Sequence, residues 1–91
     1  MDAPVANYIF TSHARREMAR RLIAENTVRQ VLAAPGQRLR VRRGREVVQS
    51  RVDFGGRVYL VRVVVDTGHT PAEVVTAYRT SKIAKYWRPD Q

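Results

Sequence analysis

His13 offers the clearest chance of acid–base chemistry in this sequence. It opens the stretch His13-Ala-Arg-Arg16-Glu17-Met18-Ala-Arg20-Arg21. On a helix, Glu17 lies one turn further on, and Arg16 and Arg20 lie on the same side. A neutral imidazole can act as a general base near neutral pH, while neighbouring guanidiniums hold and neutralise a phosphate. The free N–H groups of a helix start add to an anion site. Taken alone, the simpler reading is a solvated histidine tied to Glu17 by a surface ion pair worth well under ~1 kcal/mol.

The second constellation is Thr76-Ala-Tyr78-Arg79-Thr80-Ser81-Lys82. If this segment is a strand, Tyr78, Thr80 and Lys82 share one face and Arg79 points the other way. Tyrosine can stack on a base or donate a proton, threonine can bond a phosphate, and Lys or Arg can neutralise a transition state. The simpler alternative is a core-facing tyrosine at a polar strand end. His69, in a Gly/Thr/Pro turn, reads as an exposed turn residue. The sequence has two histidines, and its carboxylates are scattered, so no metal is expected. No glycine-rich phosphate loop or dinucleotide fingerprint is present, and no cofactor is expected.

These residues must be carried by a small set of elements. Tyr8–Phe10 suits an edge strand or a hydrophobic lead-in. Thr11 or Ser12 can cap a helix running to about Ala24, with Ala14, Met18 and Leu22 on one stripe and Ala19 and Ile23 beside it. Asn26 can close it in a left-handed turn. Thr27-Val-Arg-Gln30 reads as a capping box for a short second helix with Val28, Val31 and Leu32 inward, ended by Pro35-Gly36. The period then changes to two. Leu39 and Val41 alternate with Arg38, Arg40 and Arg42, and Gly44 marks a turn. Arg45–Phe54 and Arg57–Asp66 flank the hairpin signal Gly55-Gly56. Glu73–Arg79 is a fourth strand, and Ser81–Trp87 a tail helix docking through Ile83 and Trp87. The expected fold is α+β: two N-terminal helices packed on a four-stranded antiparallel sheet, with a short C-terminal helix.

Length and composition set the frame. Ninety-one residues, 44% hydrophobic and 27% charged, predict one ordinary globular domain over residues 1–91. With no cysteine, disulfide scaffolds, zinc knuckles and thiol nucleophiles are excluded. The first ten residues lack a basic start and a long apolar run, so no signal peptide is expected. No run approaches the ~20 apolar residues of a membrane span. A cytoplasmic location is the expectation. Seventeen Lys and Arg stand against eight acids, for a net charge of +9, and only Lys82 and Lys85 are lysines. Arginine grips phosphate with a planar fork and stacks on bases, so the charge points to a polyanion, most simply nucleic acid. Compositional bias can explain Arg over Lys but not the net excess.

The string from His13 to Ile23, with Val28 and Val31-Leu32 before Pro35, resembles the opening of a family of small toxin-like domains of the DUF 4258 type. Leu60–Val65 and Val75-Thr76-Ala-Tyr78-Arg79 resemble its close, and the likeness spans about residues 9–82. That family is similar to the BrnT-like and RelE-like toxins. The resemblance implies a RelE/barnase-like ribonuclease fold, metal-independent RNA cleavage and an antitoxin protein as partner. Carried over, the candidate catalytic residues are His13, Arg20, Tyr78, Arg79 and Thr80. A second acid–base group beyond Glu17 is not evident.

The expected function is therefore a toxin endoribonuclease in which the 2′-hydroxyl attacks the adjacent phosphodiester. His13 would assist proton transfer, and Arg20 and Arg79 would stabilise the phosphorane. Arg16, Arg40, Arg42, Arg51, Arg62 and Lys82 would contact the phosphates of an RNA, free or ribosome-bound. Two rivals stand beside it: a non-catalytic nucleic-acid-binding module, and a protein-interaction domain for an acidic antitoxin-like partner. The sequence leaves the oligomeric state open.

Overall fold

The computed structural model describes residues 2–89. Its elements run β1 (Tyr8–Phe10), α1 (Ser12–Arg20), α2 (Glu25–Ala33), β2 (Gln37–Arg42), β3 (Arg45–Phe54), β4 (Arg57–Asp66), β5 (Ala72–Thr80) and α3 (Ile83–Tyr86). The valine-rich β4 lies at the centre of one sheet of order β1-β5-β4-β3-β2, as suits the stretch richest in β-branched residues. From β2 to β5 the sheet is the expected antiparallel meander. Gly55 and Gly56, at φ 64° and 96°, make the β3–β4 turn. Both conformations lie where a Cβ is disfavoured.

The four-stranded antiparallel expectation needs one correction. Tyr8–Phe10 pairs in parallel with Ala72–Val74, so the sheet has five strands and is mixed. A three-residue strand carries too little alternation to reveal a partner so far along the chain. Its pairing is fixed by the next residue, Thr11. The Thr11 hydroxyl accepts from Ala14 N at 3.0 Å, capping α1, and donates to Val74 O at 3.1 Å on β5. One side chain thus starts the helix and anchors it to the sheet. Beyond Val74 the outer edge of β5 has no strand neighbour among the described residues, and the Arg21 guanidinium donates to Ala77 O there at 2.9 Å.

Helix α1 stops at Arg20, short of the expected Ala24. Leu22 is left-handed at φ 57°. Its N–H donates to Ala19 O, and that of Ile23 donates to Met18 O at 2.9 Å, the paired bonds of a Schellman turn. Ile23 is thereby buried, and Leu22 leaves the apolar stripe and is 78% exposed. Because this turn needs only two residues, α2 starts at Glu25. Asn26 and Thr27 then lie inside α2, as neither closing residue nor cap.

Val48, Val63 and Ala77 align across β3, β4 and β5 and are fully buried against Met18, Val28 and Leu32 of the helices. The helices therefore cover one face of the sheet, with α1 along β5 and α2 over β3 and β4. No helix among the described residues is long and apolar enough to cross a membrane.

A leucine held left-handed opposes the fold by about 1 kcal/mol. Leu22→Gly should raise the unfolding free energy by about 0.5–1 kcal/mol in urea denaturation; an unchanged or lower midpoint would contradict the strain.

Candidate nucleic-acid interface

The sheet face turned away from α1 and α2 is built on an unusual row. Where Val48, Val63 and Ala77 point to the core, their neighbours Gln49, Arg62 and Tyr78 align on the opposite face, and Gln37 of β2 extends the row. One side chain from each of these four strands joins a hydrogen-bonded chain. Gln49 Nε2 donates to Gln37 Oε1 at 2.7 Å, Arg62 Nε to Gln49 Oε1 at 2.8 Å, and Arg62 Nη1 to the Tyr78 hydroxyl at 2.6 Å. Gln37 and Gln49 are both buried, and buried amides must find partners.

The C-terminal segment supplies the remaining partners. Gln49 Nε2 also donates to Tyr86 O at 3.2 Å. Gln37 gives its amide to Arg88 O at 2.6 Å and accepts from Arg88 N at 3.1 Å. The Tyr86 ring covers the Arg62 guanidinium at 4.3 Å, and the Trp87 ring covers Arg51 at 4.1 Å. A Cβ on Gly36 would meet Trp87 Cη2 at 3.0 Å and Gln49 O at 3.1 Å. Glycine is therefore what lets the indole seat. The expected tail helix forms only over Ile83–Tyr86, and backbone groups of Tyr86 and Arg88 hold the segment down as much as Ile83 and Trp87 do.

On the helix side, past the ends of α1 and α2, the β3–β4 hairpin presents a second aromatic group. The rings of Phe54 and Tyr59 meet edge to face with centroids 5.6 Å apart. Arg79 lies over both, at 4.5 and 4.9 Å, and Arg57 over Tyr59 at 5.2 Å. Strand parity predicts Tyr78 and Arg79 on opposite faces, and they lie so.

The acidic groups neutralise part of the arginine set and leave others, Arg16, Arg40, Arg42 and Arg43 among them, without a carboxylate partner among the described residues. Glu17 pairs with Arg20 and Arg21, Glu25 with Arg15 and Arg29, Glu46 with Arg38, and Asp66 with Arg45. The Arg20 hydrogen bond, joined by the charges of Arg20, Arg21 and His13, holds the Glu17 carboxyl below its ordinary range against the effect of burial. Its contribution to stability is thus present above that ordinary range and lost as pH falls through the lowered value. Among the described residues Arg51, Arg57 and Arg79 have neither a carboxylate within 4.0 Å nor a hydrogen-bond acceptor. Each is held by stacking, which uses the flat face of the guanidinium and leaves its N–H edge for a ligand.

The sequence-derived residues are therefore only partly gathered. Tyr78, Thr80, Arg51 and Arg62 share the face away from the helices. Arg79 lies on the other face, as does α1 with His13, Arg16 and Arg20, all three exposed. The sheet stands between His13 and Tyr78, and Arg20 is engaged with Glu17 at 3.0 Å. Arg40 and Arg42 belong to the opposite end of the strands, near the Gly44 turn, and Lys82 is exposed ahead of α3. Gln37, Gln49, Tyr86, Trp87, Phe54 and Tyr59 were not legible as site residues. Their only sequence signal is glutamine among strand valines and aromatics beside arginines.

A family model described as "Domain of unknown function (DUF4258)" matches residues 10–84. That span holds both N-terminal helices, nearly all of the sheet and the first two residues of α3. No curated protein and no solved structure matches.

Gln49→Met keeps volume but strips partners from Gln37, Arg62 and the Tyr86 carbonyl. It should cost about 2–4 kcal/mol and shift emission of Trp87, the single tryptophan, to the red before global unfolding in a denaturant titration. A native-like spectrum up to the main transition would show that Gln49 does not hold the tail.

Proposed function

The chain belongs to the DUF4258 family, and we propose that within it this protein binds single-stranded RNA at the hairpin end of its sheet. The observation that carries the reading is a trio: Arg57 and Arg79, on the helix side of the hairpin, and Arg51, on the opposite face. A bound strand would therefore pass around the hairpin end. These guanidiniums are fixed by aromatic rings and paired with no acid among the described residues, on a chain of net charge +9. Guanidinium edges suit phosphates, and Trp87, Tyr59 and Phe54 offer ring surface to unstacked bases. The arrangement does not need His13.

RNA cleavage is the second reading, favoured by one contact. Arg62 donates to the Tyr78 oxygen at 2.6 Å, so the tyrosine's own O–H is left to donate outward. In a 2′-hydroxyl attack, the new O–P bond would give a 2′,3′-cyclic phosphate. The departing 5′-oxygen would take the Tyr78 proton and the 2′-hydroxyl proton would pass to water. A chain acting so would be a toxin of the kind the BrnT-like and RelE-like proteins exemplify, with an antitoxin as partner.

One assay addresses both readings: a labelled single-stranded RNA titrated with the protein at several salt concentrations, each mixture then run on a denaturing gel. Binding should persist at ~150 mM salt, and changing Arg51, Arg57 and Arg79 together to alanine should flatten the log–log salt slope by about 2. Binding no stronger than that of a neutral protein would overturn the RNA reading. On the gel, cleavage by wild type but not by Tyr78→Phe, with binding kept, supports the toxin chemistry; intact RNA, with or without ribosomes, removes it.

A further inference from the structure

The turn between β4 and β5 gathers three groups that look unrelated in the sequence. Asp66 ends β4, Glu73 is its direct register partner on β5, and His69 lies in the loop between them. One ligand atom from each falls within 4.8 Å of the other two, and His69 Nε2 is 3.5 Å from Asp66 Oδ2. We propose that Asp66, His69 and Glu73 form a binding site for a divalent cation of the zinc type.

The donor set is one imidazole nitrogen and two carboxylates, which suits a borderline ion that takes nitrogen and oxygen together. Ligands about 2.0–2.2 Å from zinc stand roughly 3.3–3.6 Å apart. The His69–Asp66 contact is already at that spacing, and small side-chain rotations bring in Glu73. The fourth tetrahedral position faces solvent for water, since His69 is exposed.

An independent electrostatic observation points the same way. The other glutamates, Glu17, Glu25 and Glu46, each sit beside an arginine, whereas Glu73 has no cationic partner among the described residues. It faces a second carboxylate instead. Two carboxylates side by side repel unless a cation lies between them. Arg45 Nη2 stands 4.0 Å from the same Asp66 Oδ2 that His69 faces, and Asp66 Oδ1 accepts from Gly68 N at 2.9 Å. A bound ion would therefore take Oδ2 in competition with Arg45. The site would staple the turn that sets the β4–β5 register.

The full chain, stripped of metal by a chelator that is then removed, would be titrated with Zn2+ alone by calorimetry. One ion per chain is expected, with a rise in Tm. His69→Ala and Glu73→Gln should each weaken binding at least tenfold, while His13→Ala, which removes the only other imidazole, should leave it unchanged. No heat and no Tm shift at about 100 μM Zn2+, on the order of a weak site's limit, would overturn the proposal. So would full affinity in His69→Ala, or loss of binding in His13→Ala.

Discussion

The side-chain amide of Gln49 sets the terms for half of this molecule. It sits mid-sheet with no exposure, so both its N–H groups and its carbonyl must be matched inside the protein. The match runs sideways through Gln37 and Arg62 to Tyr78, touching four strands, and upward to the Tyr86 carbonyl. A sheet with helices on one face usually turns an alternating polar face to water. Here that face is closed by a short tail whose own backbone completes a side-chain network. The tail rings cannot be moved without leaving buried polar atoms unmatched, so the position of Tyr86 and Trp87 follows from the chemistry of one glutamine.

The arginines divide by the same logic of partners. On and beside the helices Glu17 and Glu25 each serve two guanidiniums, and Arg15 and Arg29 also rest on Phe10, while Arg16 has no carboxylate partner among the described residues. At the hairpin end the Asp53 carboxylate is turned to the Gly56 N–H of its own turn, and aromatic rings take over the role of orienting the guanidiniums. An ion pair spends the charge it fixes; a ring fixes the side chain and leaves the charge facing outward. Arg40, Arg42 and Arg43 near the Gly44 turn also lack a carboxylate partner among the described residues, but no ring is stacked on them. It is the ring-held arginines that support the proposal of an anionic chain at the hairpin end.

Much of the fold was written plainly in the sequence. The strands from Leu39 to Arg79, the Gly55-Gly56 hairpin and the inward faces of both helices follow from period and turn chemistry. What escaped has definite causes. Tyr8–Phe10 is too short to show a pattern, and its partner lies far along the chain. Leu22 takes a backbone conformation that its residue type disfavours, so the boundary between the helices slid by several residues. The site was harder still. Parity separated Tyr78 from Arg79 correctly. Cross-strand register, which sets Gln49 beside Arg62 and Glu73 beside Asp66, depends on pairing that no single strand encodes. His13 drew attention through its neighbours along the helix, but that helix packs on the face away from Tyr78.

The contact between Arg21 and the Ala77 carbonyl bears on how the protein behaves in company. Among the described residues the last strand has an open flank past Val74, the kind of surface on which identical chains stack into fibrils. A guanidinium occupies the place a neighbouring amide would take and sets a positive charge against the approach of another equally basic copy. One arginine thus both ties the end of the first helix to the sheet and covers part of the strand edge.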